Sequence, residues 1–218
     1  MLTFKPNGAR GITVYYDSWM EGGGTWFGQE YIDIVRERYP NRQFKKCYEW
    51  CSGPGFIGFG LLDHELCENL CLSDIYESAI DRVLNHTAKD HVNQCEHQIS
   101  AYATGTLHTL PDHEQFDLVV ANPPHFLTCP GDENMQRIKV DGGWAAHRDF
   151  FRYIAQHLLP DGVILLQENQ AGSIGGVAEF EQMIAASGLV VTDSFRSPKF
   201  YEVDGHTQIY YIEIKKAQ

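Results

Sequence analysis

Phe116-Asp117-Leu118-Val119-Val120-Ala121-Asn122-Pro123-Pro124-His125 is an apolar run that ends in a forced turn. Each proline lacks an N–H and fixes φ, so a central strand cannot continue past Asn122. The turn leaves the Asn122 amide and the Pro123 carbonyl pointing the same way at the carboxyl end of a strand. Open parallel α/β sheets bind their ligands at that end. The purely structural use of Asn122 is an Asx-turn ahead of the prolines.

Upstream, Glu49-Trp50-Cys51-Ser52-Gly53-Pro54-Gly55-Phe56-Ile57-Gly58 reads as a strand, over about 46–51, running into a Gly-rich turn and then a helix through Leu61, Leu62 and Leu66. Gly53 and Gly55 suit a place where backbone approaches a ligand with no Cβ in the way. A second strand over 70–73 ends at Asp74, and a helix over 77–85 follows. Asp74 lies about twenty residues beyond the glycines, where a carboxylate can accept both hydroxyls of a ribose; the alternative is an N-cap for the next helix. Dinucleotide and adenosyl ligands both fit these features.

Farther out, residues 99–104, 163–167, 189–196 and 207–215 read as strands, the last two forming an antiparallel hairpin through 197–205. With the strands already named this makes seven. Helical patterns cover 27 or 28 to just before Pro40, 145–159 with closure by Pro160-Asp161-Gly162, and 178–187 with Gly188 as its C-cap. Residues 1–25 are glycine-rich and aromatic and read as an N-terminal arm with a mobile hinge at Gly22-Gly23-Gly24, leaving 26–218 as the catalytic domain. The long loop over 126–143 is of a size that is usually functional.

The 218 residues are 43% apolar, enough for a substantial core, and 17 Lys and Arg against 29 Asp and Glu give a formal charge of −12. That field repels a phosphate backbone. The basic group Arg36, Arg38, Arg42, Lys45 and Lys46 reads as a solvated helix end, or else as a local nucleic-acid patch. Met1-Leu2-Thr3-Phe4-Lys5-Pro6 has no apolar leader and no run approaches membrane-spanning length, so a cytoplasmic protein with no membrane partner is expected. Cys47 and Cys51 fall on one strand, where that spacing separates side chains by ~13 Å. Cys67 and Cys71 straddle a helix end and the next strand. With Cys95 and Cys129 these are expected to be reduced thiols, with no metal bound.

Taken together, the segments resemble the class I S-adenosylmethionine-dependent methyltransferases, in the branch with an Asn-Pro-Pro-aromatic motif, over residues 27–215. The closest resemblance is to the protein-glutamine methyltransferases that modify translation release factors, in a small single-domain form. The resemblance implies an α/β, Rossmann-like, mostly parallel seven-stranded mixed sheet with an antiparallel C-terminal hairpin and helices on both faces. It implies S-adenosylmethionine as cofactor, with Glu49 toward the methionine amino group, Cys51, Gly53 and Gly55 in the methionine turn, Asp74 on the ribose and Ile75 on the adenine. Thr106 stands where the family generally has an Asp near the adenine amino group. Trp26, Phe27 and Gln29 would close over the methionine end or the substrate, Trp26 alternatively anchoring the arm in the core. Asp141-Gly142-Gly143 is similar to a substrate-side loop, with Trp144 and His147 at the substrate rim.

The implied catalytic group is Asn122, Pro123 and His125. The Asn122 side-chain oxygen and the Pro123 carbonyl can each accept a hydrogen from a planar NH₂ and align its nitrogen with the methyl donor. His125 replaces the motif's usual Tyr or Phe. It would stack on the planar group, accept a proton or hydrogen-bond the substrate, or merely cap the turn. The expected acceptor is a protein glutamine amide, with a nucleobase amino group or a small-molecule nitrogen as alternatives. A cofactor-binding scaffold without catalysis and an NAD-dependent oxidoreductase are the competing classes.

Overall fold

In the computed structural model, which describes residues 1–92, 97–131, 133–200 and 208–217, two short strands, β1 (Leu2–Phe4) and β2 (Val14–Tyr16), pair antiparallel as a sheet of their own. Seven more form a mixed sheet. They are β3 (Phe44–Trp50), β4 (Cys67–Asp74), β5 (Ile99–Ala103), β6 (Phe116–Ala121), β7 (Leu158–Asn169), β8 (Leu189–Arg196) and β9 (Ile209–Lys216), in the order β5-β4-β3-β6-β7-β9-β8. β3, β4 and β5 run parallel, as do β6 and β7, whereas β9 is antiparallel to both β7 and β8. The C-terminal hairpin is therefore antiparallel, as its sequence indicates. Part of its connection, 201–207, lies outside the described residues, as does Cys95.

The chain divides into two compact units, Met1–Gly105 and Thr106–Gln218. In the first, helix α1 (Gly24–Arg38) buries Tyr31, Ile32, Ile34 and Val35, and helix α2 (Phe56–Asp63) is buried along its whole length. α1 starts three residues before the sequence pattern suggests, because Gly24 leaves room for the Phe56 ring where a Cβ would stand. The glycine run is thus a helix start packed on an aromatic ring. The arm forms a hairpin: Phe4 and Tyr16 meet Phe56 edge-on, and Arg82 pairs with Asp17 at 3.0 Å. Buried Asp63 accepts the Gly8 and Ile12 N–H groups at 2.6 and 3.0 Å, and its own carbonyl accepts that of Arg10. After helix α3 (Glu77–Arg82) the chain continues through a π turn (Val83–Thr87) into helix α4 (Ala88–Val92), farther than the expected end at 85.

The second unit departs from expectation in two places. The stretch 126–143, read as a loop, contains helix α5 (Glu133–Lys139), with Glu133 in its first turn and Arg137 and Lys139 in its last to complement the dipole. Pro160-Asp161-Gly162, expected to close a helix, instead lies inside β7. Helix α6 (Ala145–His157) ends at His157 and β7 begins at the next residue, slipping in its register against β6 between Phe116 and Leu118. A proline is tolerated in a sheet at such an irregularity, where no ladder bond needs its missing N–H. α6 buries Phe150, Phe151 and Ile154, and helix α7 (Ala178–Ala186) buries Phe180 and Ile184. No described helix is long and apolar enough to cross a membrane.

Candidate functional site

In the first unit β3 leads into the turn Cys51-Ser52-Gly53-Pro54-Gly55. Cys51 holds φ +53, a left-handed conformation costing a non-glycine residue about 1–2 kcal/mol; such strain concentrates at ligand sites. Gly55, at φ +88, precedes α2, and a Cβ there would strike Leu72 and the Phe59 ring. Gly53, at φ +51, has nothing within 4 Å of where its Cβ would be. Its N–H donates to Asp74 Oδ2 at 2.7 Å, and Tyr76 N–H donates to Asp74 Oδ1 at 2.9 Å. The N-cap of α3 is Tyr76, not Asp74, so the carboxylate is not spent on capping. Burial raises the Asp74 carboxyl above its usual range while backbone N–H groups pull it back.

Ile75, directly after, is 66% exposed, with its side chain against Gly105. Glu49 is buried, its carboxylate accepting Gly58 N–H at 2.7 Å and Ile57 N–H at 3.3 Å at the start of α2. Burial pushes it up to about 8, against those two N–H groups and with Asp74 adding to the rise. A buried carboxylate answered only by amide dipoles is one that an ammonium group would favour in its ionised form. Phe27 is half-buried beside Gly23, and Trp26 is 69% exposed.

In the second unit β6 ends at Ala121, just before Asn122, which is half-buried, and Pro123, which is buried. His125 lies 2.8 Å, through Nε2, from the Asn122 side-chain oxygen. Its ring edge is engaged on the other side as well, Nδ1 standing 3.5 Å from Glu168 Oε2. The turn after β7 packs on this corner. Gly172 and Ser173 donate their N–H groups to the Asn169 carbonyl, both at 2.9 Å, and a Cβ on Gly172 would overlap the His125 carbonyl. Gly172→Ala is therefore expected to destabilise the protein by about 1–3 kcal/mol. A thermal unfolding midpoint unchanged from wild type would show that the two turns do not depend on this contact.

Behind His125 runs a buried charged chain that the sequence pattern did not disclose. Glu168 Oε1 meets His147 Nε2 at 2.8 Å, and His147 Nδ1 meets Asp141 Oδ2 at 2.7 Å. Asp141 also accepts the N–H groups of Ala146 and His147, at 2.9 and 3.1 Å. Burial pushes His147 down, but the charge of Glu168 and hydrogen bonds to both carboxylates outweigh it and keep the ring charged up to about 9. Glu168 is held below its usual range by His147 and His125 in spite of its burial, and Asp141 by its bonds to His147 and Ala146.

His147 and Trp144 are both buried, with Trp144 Nε1–H donating to Glu179 at 3.0 Å, so neither forms the substrate rim expected of them. The only hint of Glu168 in the sequence is a carboxylate where an apolar strand ought to finish. The Thr106 hydroxyl donates to Asp149 of α6 at 2.7 Å, and Asp149 also accepts Leu107 N–H at 2.9 Å.

No protein-family model and no curated protein sequence matches the chain. Solved structures do. A ribosomal protein L11 methylase from Lactobacillus delbrueckii subsp. bulgaricus is 16% identical at a TM-score of 0.58, over 87% of this chain and 78% of that one. A putative RNA methyltransferase from Pyrococcus horikoshii is 13% identical at 0.58, over 94% and 91%. An S-adenosylmethionine-dependent methyltransferase from Clostridium acetobutylicum is 11% identical at 0.61, over 87% and 92%. The chain has the Rossmann-like fold of these methyltransferases.

Proposed function

We propose that the protein is a cytoplasmic S-adenosylmethionine-dependent N-methyltransferase acting on a planar nitrogen, with a protein glutamine amide as acceptor. The observation that carries this reading is the Asn122-Pro123 corner, which ends a buried strand with a half-buried amide fixed by a second polar side chain. A scaffold that only bound the cofactor would have no use for such an acceptor pair.

Asp74, with lone pairs left after its bonds to Gly53 and Tyr76, would take the ribose hydroxyls, and exposed Ile75 would lie under the adenine. Glu49 would answer the methionine ammonium, Gly53 and Gly55 would admit the methionine chain beside Cys51, and Phe27 would cover that end. Bound there, the cofactor would supply an electrophilic sulfonium methyl for the acceptor nitrogen, leaving as a neutral thioether with the S–C electron pair while one N–H proton passes to solvent. Asn122 Oδ1 and the Pro123 carbonyl accept the two hydrogens of the acceptor NH₂ and hold its lone pair in line. Their dipoles also stabilise the positive charge that grows on nitrogen.

The structural neighbours act, by their names, on a ribosomal protein and on RNA, so the fold does not choose the acceptor. The charge of −12 favours a protein over a nucleic acid. Calorimetry should show S-adenosylmethionine binding and no NAD binding; the opposite result would sink the proposal. Labelled methyl transfer into a cell extract should become protease-sensitive, and nuclease-sensitive label would move the acceptor to a nucleobase.

A further inference from the structure

We infer that His125 is a positioning residue, whose ring tautomer, imposed by Glu168, decides which end of the Asn122 amide faces outward. The inference deepens the functional reading above and rests on it for its catalytic meaning, though not for its test.

The argument starts at the buried end of the chain of side chains. His147 sits between two carboxylates, one on each ring nitrogen, at 2.7 and 2.8 Å. Both nitrogens therefore carry hydrogen. Glu168, fully buried and paired through Oε1 with that cation, is ionised and can only accept. Its Oε2 faces His125 Nδ1 at 3.5 Å, a charge contact longer than a hydrogen bond, and neither atom has a hydrogen-bond partner among the described residues. An acceptor opposite Nδ1 selects the Nδ1–H form of the ring. When the ring is neutral, Nε2 is then bare and is itself an acceptor.

Across from Nε2, 2.8 Å away, is the Asn122 amide. A bare Nε2 requires the amide NH₂, and turning the NH₂ inward sends Oδ1 outward, where an incoming N–H can use it. When the ring carries both hydrogens, Nε2–H takes Oδ1, the orientation in the structure, and the outward end of the amide becomes a donor that cannot align an acceptor NH₂. The two amide orientations have nearly the same shape, so the ring's hydrogen pattern is what separates them.

Among the described residues, the titratable groups linked to Glu168 are His147, with Asp141 behind it, and Tyr210 of β9, which feels the Glu168 charge. Tyr210 is kept as the phenol by burial and by the charge of Glu168, and its hydroxyl lies 2.8 Å from Ser173 Oγ. At pH values below 9, then, Glu168 is the group in contact with His125 that sets its tautomer.

The test is a nitrogen NMR titration of protein labelled with ¹⁵N-histidine. The His125 signals are picked out of the ten histidines by comparison with His125→Gln. As the wild-type ring loses its charge, Nε2 should shift to the unprotonated position while Nδ1 keeps its hydrogen. In Glu168→Gln the charged His147 takes the new amide oxygen, the amide NH₂ faces His125 Nδ1, and the tautomer should invert. A neutral wild-type ring carrying its hydrogen on Nε2, or an unchanged tautomer in Glu168→Gln, would overturn the inference.

Asn122→Asp provides a second variant should Glu168→Gln fail to fold. A carboxylate opposite Nε2 should hold that hydrogen and lower the ring's proton dissociation by ~10-fold or more, whereas an unshifted titration would again overturn the inference. These signals are read with no cofactor or acceptor present. Absence of S-adenosylmethionine binding would therefore defeat the functional reading and leave the tautomer to be decided by its own spectrum.

Discussion

Asn122→Ala is expected to lower methyl transfer by about a hundredfold to a thousandfold, the usual effect of deleting one preorganised dipole from a reacting centre. Cofactor affinity should be nearly unchanged, because Asp74 is held by Gly53 and Tyr76 and Glu49 by Gly58, whereas the Asn122 amide is held by His125. The loss should fall on the chemical step, since alignment of an amide nitrogen matters most when its delocalised lone pair must be turned toward the donor. Single-turnover transfer from labelled S-adenosylmethionine, with calorimetry of the same variant, separates the two quantities. Turnover within a factor of about two of wild type would remove Asn122 from the mechanism.

The second large effect is on stability. His147→Ala deletes the single cation between two buried carboxylates, which should cost about 3–5 kcal/mol because Asp141 and Glu168 are left buried without a counter-charge. The sign of the pH dependence follows from the direction of each shift. His147, raised to about 9, contributes stability that is fully present below its ordinary value of 6.5 and lost as pH rises through 9. Asp141 and Glu168, both lowered, contribute stability present above their ordinary values of 3.8 and 4.5 and lost as pH falls. The deficit of the variant is therefore greatest between about pH 4.5 and 6.5 and narrows on either side. Urea unfolding at a series of pH values measures it directly. A constant deficit, or one below about 1 kcal/mol at pH 6, would mean that these groups are not coupled as their distances indicate.

Much of the fold could be read from periodicity and punctuation. The apolar runs at 116–121 and 189–196 are strands with those same limits, and Gly188, at φ +71, follows α7 as a glycine past a helix end should. The failures have a common physical origin, in contacts distant in sequence. Nothing local announces that Pro160 will sit in a slipped register of β7, or that 133–139 forms a helix within a stretch with few apolar residues.

The site divides in the same way. A turn and a strand end each leave a local mark at Gly53 and Asp74, whereas the hydrogen bond that joins them is visible only in the fold. Asp141, His147 and Glu168 come from a loop, a helix and a strand, and only the folded chain shows that they share protons. Asp149 is hidden for a like reason: its carboxylate reaches the Thr106 hydroxyl from α6, 43 residues along the chain.

The clasp of Asp63 on the arm has an evolutionary implication. The carboxylate grips Gly8 and Ile12, and the carbonyl grips Arg10, solely through main-chain N–H groups. Such a grip is blind to side-chain identity, so positions 10 and 12 can drift as far as packing allows, with proline alone barred by the loss of its N–H. Position 8 is fixed more tightly, because any side chain there would collide with the Asp63 backbone. In descendants of this sequence, the path of the arm should outlast its wording.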